Sequence, residues 1–125
     1  MRALVIDDSR AIRLILSRTL TELGFETLDA ANGLEALAVL QREGPMDLAL
    51  VDWNMPEMDG LQFVQAARAE PAWSRMKLMM VTTETELARV VKALEAGADE
   101  YVMKPFTRDV IAEKLALLGL GQRAA

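Results

Sequence analysis

The chain has 125 residues, enough for one domain around a single hydrophobic core but short for a second domain of ordinary size. Its 14 basic and 19 acidic side chains give a formal net charge of -5, which argues against direct binding to nucleic acid. Cysteine and histidine are absent, so disulfides, thiolate ligands and imidazole bases are excluded, and any metal must take oxygen ligands, which favours Mg²⁺.

The first half of the chain alternates short apolar runs with helical periodicity. The first run stops at Asp7 and Asp8, well short of a signal-peptide core, and no later run approaches the length of a membrane span. We therefore expect a cytoplasmic protein. The predicted elements are, in chain order, a strand over 3–6, a helix over 9–23, a strand over 25–30, a turn at 32–33, a helix over 34–43 and a buried strand over 48–51.

The second half begins directly after that buried strand, which stops at Asp52. Asp59 and Thr107 are placed to cap helices, and Thr83 and Glu86 have the spacing of a capping box. The predicted elements are a helix over 61–69, a loop over 71–75, a strand over 78–81, a helix over 87–94, a strand over 101–103 and a last helix whose apolar stripe covers 110–118.

Five strands alternating with five helices predict an α/β fold, with a doubly wound parallel sheet covered by helices on both faces. We predict a flavodoxin-like strand order of 2-1-3-4-5, because right-handed crossovers leave few alternatives. We found no linker or internal repeat, so residues 1–125 are expected to form one domain without a separate output domain. In this order strands 1 and 3 are neighbours, and their terminal aspartates should meet.

Four of the five strands end on polar side chains that the sheet should gather at its carboxyl edge: Asp7 with Asp8, Asp52, Thr82 and Lys104. Clustered carboxylates repel one another unless a cation joins them, so the cluster predicts a bound hard metal such as Mg²⁺. Beside such a metal a carboxylate can attack phosphorus, while an ammonium and a hydroxyl stabilise the remaining charge. Asp52, on the central strand, is the predicted nucleophile. No glycine-rich phosphate loop is present, which disfavours ATP as the direct donor.

Five segments resemble, in order, the receiver domain of two-component response regulators. They are Val-Ile-Asp7-Asp8-Ser, Val-Asp52-Trp-Asn-Met-Pro-Glu-Met-Asp-Gly60, Val-Thr82-Thr-Glu84, Gly97-Ala-Asp and Tyr101-Val-Met-Lys104-Pro-Phe-Thr107. Trp53, Asn54, Glu84 and the last segment resemble in particular the stand-alone chemotaxis regulators of that family. Thr83 departs from the small residue usual at its position.

The resemblance implies that Asp52 accepts a phosphoryl group from a sensor histidine kinase. It implies that Asp8, Asp52 and the backbone carbonyl of Asn54 bind Mg²⁺, with Asp7 acting through water. Thr82 and Lys104 would contact the phosphoryl group.

The resemblance also implies a switch, in which Thr82 moves toward the phosphoryl group and Tyr101 turns inward behind it. This change would reshape the face formed by helix four, strand five and helix five, which would bind a target protein such as a flagellar motor switch protein. Asn54 and Glu84 lie where the family tunes dephosphorylation, and a phosphatase could be a further partner. We expect a monomer that catalyses only its own phosphorylation and dephosphorylation.

Other interpretations of the sequence stay open. Asp52 could cap a helix, Tyr101 could be an ordinary strand aromatic, and Lys104 could be a solvated loop charge. An aspartyl-phosphate phosphatase would carry a second acid where Asn54 stands, and a degenerate receiver would lack one of the acids or the lysine. The chain could also be a receiver excised from a larger regulator with a DNA-binding or enzymatic output.

Overall fold

The structure, a computed structural model, describes residues 1–83 and 87–121. Five parallel strands form one sheet in the order β2-β1-β3-β4-β5, which confirms the predicted fold class and strand order. The strands are β1 (Arg2–Ile6), β2 (Glu26–Ala30), β3 (Leu48–Asp52), β4 (Lys77–Thr82) and β5 (Glu100–Met103). The helices are α1 (Arg10–Glu22), α2 (Gly33–Glu43), α3 (Gly60–Ala69), α4 (Leu87–Ala96) and α5 (Arg108–Leu117).

The sheet separates two hydrophobic clusters because successive side chains of a strand point to opposite faces. On one face Leu4 and Val51 pack in a cluster that also contains buried residues of α2, α3 and α4. On the other face Val5 and Leu50 pack with buried residues of α1 and α5. Burial on both faces explains why these strands read as unbroken apolar runs.

The strand register brings the carboxyl ends of the inner strands to one level. Ile6 pairs with Val51, and Asp52 pairs with Val81 on the other side of β3. Thr82 pairs with Met103, and the backbone N–H of Lys104 donates to the carbonyl of Thr82 at 2.7 Å. Residues that follow these strands therefore emerge together at one edge of the sheet.

Two local predictions were wrong. The predicted turn at 32–33 is the start of α2, where Asn32 is the extended cap and its side chain accepts from the Glu35 N–H at 2.8 Å. Asparagine and glycine favour turns, but asparagine is also among the best helix caps. The predicted loop at 71–75 begins with a 3-10 turn over Pro71–Trp73, since proline fits the first position of a helical turn as well as it ends the preceding helix.

The Asp59 cap is confirmed, and it forms a capping box with Gln62 at the start of α3. The capping box predicted for Thr83 and Glu86 lies outside the described residues. Within residues 1–83 and 87–121, no helix combines the length and the apolar composition needed to cross a membrane.

Candidate functional site

Three carboxylates meet at the carboxyl edge of the sheet, as the strand order predicts. One oxygen from each of Asp7, Asp8 and Asp52 lies within 4.8 Å of the others. Asp7 is 1% exposed and Asp52 is 7% exposed, whereas Asp8 faces solvent. Two buried acids beside a third are an unfavourable concentration of negative charge unless cations compensate it.

Lys104 supplies one such cation from the loop after β5. Its ammonium nitrogen lies 3.1 Å from Oδ2 of Asp7 and 3.4 Å from Oδ1 of Asp52, and its side chain is only 16% exposed. One ammonium between two buried carboxylates leaves the cluster with excess negative charge. Lys104 is therefore part of the site and not a solvated loop residue.

The burial and the charges of the cluster affect the pKa of Asp52. Burial of the carboxyl and the neighbouring charge of Asp7 raise its pKa from 3.8 to about 6. Lys104 opposes this shift through its charge and its hydrogen bond, while Asp8 adds a smaller upward contribution to the pKa. Asp52 is thus mostly ionised at neutral pH, but ionisation is costly, which favours binding of a cation or reaction with an electrophile.

The donor set fits Mg²⁺. Carboxylate oxygens are the protein ligands that this ion prefers, and a partly exposed cluster leaves room for the water ligands that it retains. Asn54 lies in the loop after β3, two residues beyond Asp52, and is exposed.

The loop between β3 and α3 is closed tightly behind Asp52. The Gly60 N–H donates to the Trp53 carbonyl at 2.9 Å. A Cβ on Gly60 would lie 2.5 Å from the backbone oxygen of Asp52, so only glycine allows this approach without displacing the strand end.

Glu57, in the same loop, has φ of 65°, a left-handed conformation that is unfavourable for a side chain of this kind. Trp53 is half-buried and lies under the Arg89 guanidinium, 5.6 Å from the ring centroid.

The predicted switch residues occupy neighbouring strands. Thr82 is 5% exposed at the end of β4, and Tyr101 lies on β5, half-buried against the cluster that contains α4. The Lys114 ammonium lies 4.7 Å from the Tyr101 ring centroid and also binds Glu100 at 3.1 Å. Glu84 lies outside the described residues.

Sequence reasoning missed one residue at this edge. Arg13 is not among the predicted site residues, yet its Nη1 donates to the backbone carbonyl of Asp7 at 2.7 Å. The sequence signal for this contact was the position of Arg13 directly after Ile12, because Ile12 packs against the core.

The doubly wound sheet and its edge of three acids, a threonine and a lysine define a signalling receiver domain. The sequence model of the response regulator receiver domain matches residues 3–116, and the chain belongs to that family.

Relatives and solved structures agree with this family. The chain is 46% identical over 123 residues to the chemotaxis protein CheY homolog of Campylobacter jejuni, covering 97% of this chain and 95% of that protein. It is 42% identical over 119 residues to chemotaxis protein CheY1 of Helicobacter pylori, covering 94% and 96%. The high-resolution structure of the chemotaxis response regulator CheY4 of Vibrio cholerae superposes with a TM-score of 0.87 at 35% identity, covering 94% of this chain and 97% of that one.

Proposed function

We propose that this receiver domain is a phosphorylation-activated switch that accepts a phosphoryl group from a sensor histidine kinase on Asp52. The observation that carries the proposal is the position of Asp52, buried between two further acids and 3.4 Å from the Lys104 ammonium. This arrangement makes the carboxylate reactive and supplies a cation for the incoming negative charge. Chemotaxis is the proposed context because the relatives named above are chemotaxis proteins.

In the proposed reaction an Asp52 oxygen attacks the phosphorus of a phosphohistidine on the kinase. The new O–P bond forms as the N–P bond breaks, and the imidazole leaves with the bonding electrons and takes a proton from solvent. Lys104 would bind a phosphoryl oxygen, and the Thr82 hydroxyl would bind another. Asp7, Asp8, Asp52 and the Asn54 carbonyl would hold Mg²⁺, which when bound neutralises charge on the phosphoryl oxygens.

In this proposal, phosphorylation acts by changing the affinity of one surface of the domain for a target protein. Thr82 and Tyr101 would couple the phosphoryl group to the face formed by α4, β5 and α5, which would bind a target such as a flagellar motor switch protein. Glu84 and Asn54 would set the dephosphorylation rate, alone or with a phosphatase. The chain would act in the cytoplasm as a monomer, with no enzymatic turnover beyond its own phosphorylation and dephosphorylation.

The presence of Asn54, two positions after the acceptor, favours this proposal over an aspartyl-phosphate phosphatase. Such an enzyme needs a second carboxylic acid there to protonate the leaving group. The asparagine amide is neither a general acid nor a general base at neutral pH, so it cannot activate water against the acyl phosphate, and the phosphorylated form should persist as a signal instead of serving as a rapid intermediate.

The test is phosphorylation by acetyl phosphate in the presence of Mg²⁺, followed by intact mass measurement. We expect one added phosphoryl group, labile to hydroxylamine as an acyl phosphate is, and absent from Asp52→Asn. Asp59→Asn is the matched control, because it removes an aspartate from the loop that follows Asp52, outside the acid cluster. Phosphate retained in Asp52→Asn, or found on a serine or threonine, would contradict the proposal.

A further inference from the structure

Arg13 links three elements at the functional edge. It lies near the start of α1, and its side chain is only 17% exposed although it carries a full charge. Nη1 donates to the backbone carbonyl of Asp7 at 2.7 Å, and Nε donates to Asp29 Oδ2 at 3.0 Å. The guanidinium therefore joins α1 to the end of β2 and to the loop that carries the two N-terminal acids.

The three clustered carboxylates differ in the hydrogen bonds that they accept. The Asp7 carboxylate accepts from the Ser9 N–H at 2.9 Å and from Lys104, and Asp52 also accepts from Lys104. Across residues 1–83 and 87–121, no side chain or N–H holds the Asp8 carboxylate. The position of Asp8 therefore depends on the backbone on either side of it.

The carbonyl that Arg13 binds belongs to the peptide joining Asp7 to Asp8. The other peptide of Asp7 is fixed by its N–H, which donates to the Ala30 carbonyl at 3.1 Å. With both peptides held, the chain leaves Asp7 in one direction and directs Asp8 to the cluster. Without the Arg13 bond, the carbonyl of the Asp7–Asp8 peptide loses its partner, and the Ser9 N–H bond to the Asp7 carboxylate, on the other side of Asp8, is left to restrain this segment.

We propose that Arg13 is a positioning residue for the metal site: through the Asp7 carbonyl, it keeps the Asp8 carboxylate beside those of Asp7 and Asp52. This inference rests on the Mg²⁺ site of the proposed function. Groups that orient metal ligands from outside the ligand set commonly change metal affinity by about 10- to 100-fold.

The sign of the effect separates positioning from simple electrostatics. Arg13 is a cation, so its charge alone opposes Mg²⁺, and deleting only that charge would tighten metal binding. Loss of the Asp7 contact should instead weaken binding, because the site loses one of its three preplaced carboxylates. A purely structural role would lower the melting temperature and leave the dissociation constant unchanged.

The experiment measures the Mg²⁺ dissociation constant by calorimetry and the melting temperature in EDTA for wild type, Arg13→Met and Arg18→Met. Methionine keeps most of the apolar stem, and Arg18 is an exposed arginine of the same helix. We expect Arg13→Met to bind Mg²⁺ about 10-fold more weakly, with Arg18→Met unchanged or slightly tighter. Equal or tighter binding by Arg13→Met would overturn the inference, whatever its melting temperature.

Two further variants keep the test decisive. Asp29→Asn removes the ion pair but leaves the Asp7 contact, so it should retain nearly wild-type Mg²⁺ affinity. If Arg13→Met does not fold, Arg13→Leu replaces it, since leucine likewise has no donor for the Asp7 carbonyl, and an unchanged dissociation constant there overturns the inference. Absence of Mg²⁺ binding by the wild type would instead contradict the metal site of the proposed function.

Discussion

The ammonium nitrogen of Lys104 lies 3.4 Å from Oδ1 of Asp52, although 52 positions separate the two residues in the chain. The contact exists because β3 and β5, with β4 between them, end at the same edge of the sheet. It stabilises a buried carboxylate, but it also places a cation where a metal ion would bind.

Removal of this ammonium should have opposite effects on folding and on metal binding. Lys104→Met leaves Asp7 and Asp52 without their shared cation, and we expect a loss of about 1–3 kcal/mol in the free energy of unfolding without metal at neutral pH. Mg²⁺ should bind more tightly, because it no longer competes with a neighbouring positive charge. Urea denaturation in EDTA and Mg²⁺ calorimetry measure the two effects, with Lys92→Met, on the exposed surface of α4, as the control. Weaker Mg²⁺ binding by Lys104→Met would argue against this account.

The pKa of Asp52 predicts an inverted pH dependence of stability. Because the folded-state pKa of about 6 exceeds the ordinary 3.8, the folded protein holds the proton more tightly than the unfolded chain. The contribution of Asp52 to stability is therefore present at low pH and is lost as pH rises from about 4 through about 6, with an upper limit of roughly 3 kcal/mol. Urea denaturation in EDTA across that window should show this loss in wild type and not in Asp52→Asn. Parallel curves for the two proteins would place the titration elsewhere.

Thr82 should be needed for signalling but not for phosphorylation. If its hydroxyl donates to the charged phosphoryl group, that bond is worth about 1.5–3 kcal/mol, which would favour the active state by roughly 10- to 150-fold. Thr82→Ala should accept phosphate on Asp52 yet lose most of the gain in target affinity, whereas Thr82→Ser should keep it. Target titration with and without beryllofluoride measures this gain, and its survival in Thr82→Ala would rule out this route of coupling.

Glu57 should be replaceable with a gain in stability. Its φ of 65° is tolerated better by asparagine, so Glu57→Asn should raise the free energy of unfolding by about 0.5–1 kcal/mol. Glu57→Ala is the matched control, because it removes the same charge but lacks the short polar side chain that lets asparagine tolerate the left-handed conformation. Urea denaturation compares the two, and equal gains would mean that charge, not backbone conformation, is responsible.

The sequence predicted the elements of this fold that depend on local pattern. The apolar run from Leu48 to Val51 identified the central strand, and the polar residue after it identified the candidate acceptor. The Arg13 contact with Asp7 could not be predicted in this way, because it depends on the rotation of α1 about its axis and on one side-chain conformation. Asn32 and Pro71 were misassigned because these residue types occur both in turns and at helix starts.

The two hydrophobic clusters on opposite faces of the sheet have a consequence for evolution and for redesign. Substitutions that do not share a neighbour add nearly independently in their effects on stability. Leu16 and Ile111 pack on one face, whereas Phe63 and Ala93 belong to the cluster on the other face, against which Tyr101 packs. Volume-conserving replacements among the core residues of α1 and α5 can therefore change the melting temperature of the domain. The packing around Tyr101, on the other face of the sheet, would stay the same.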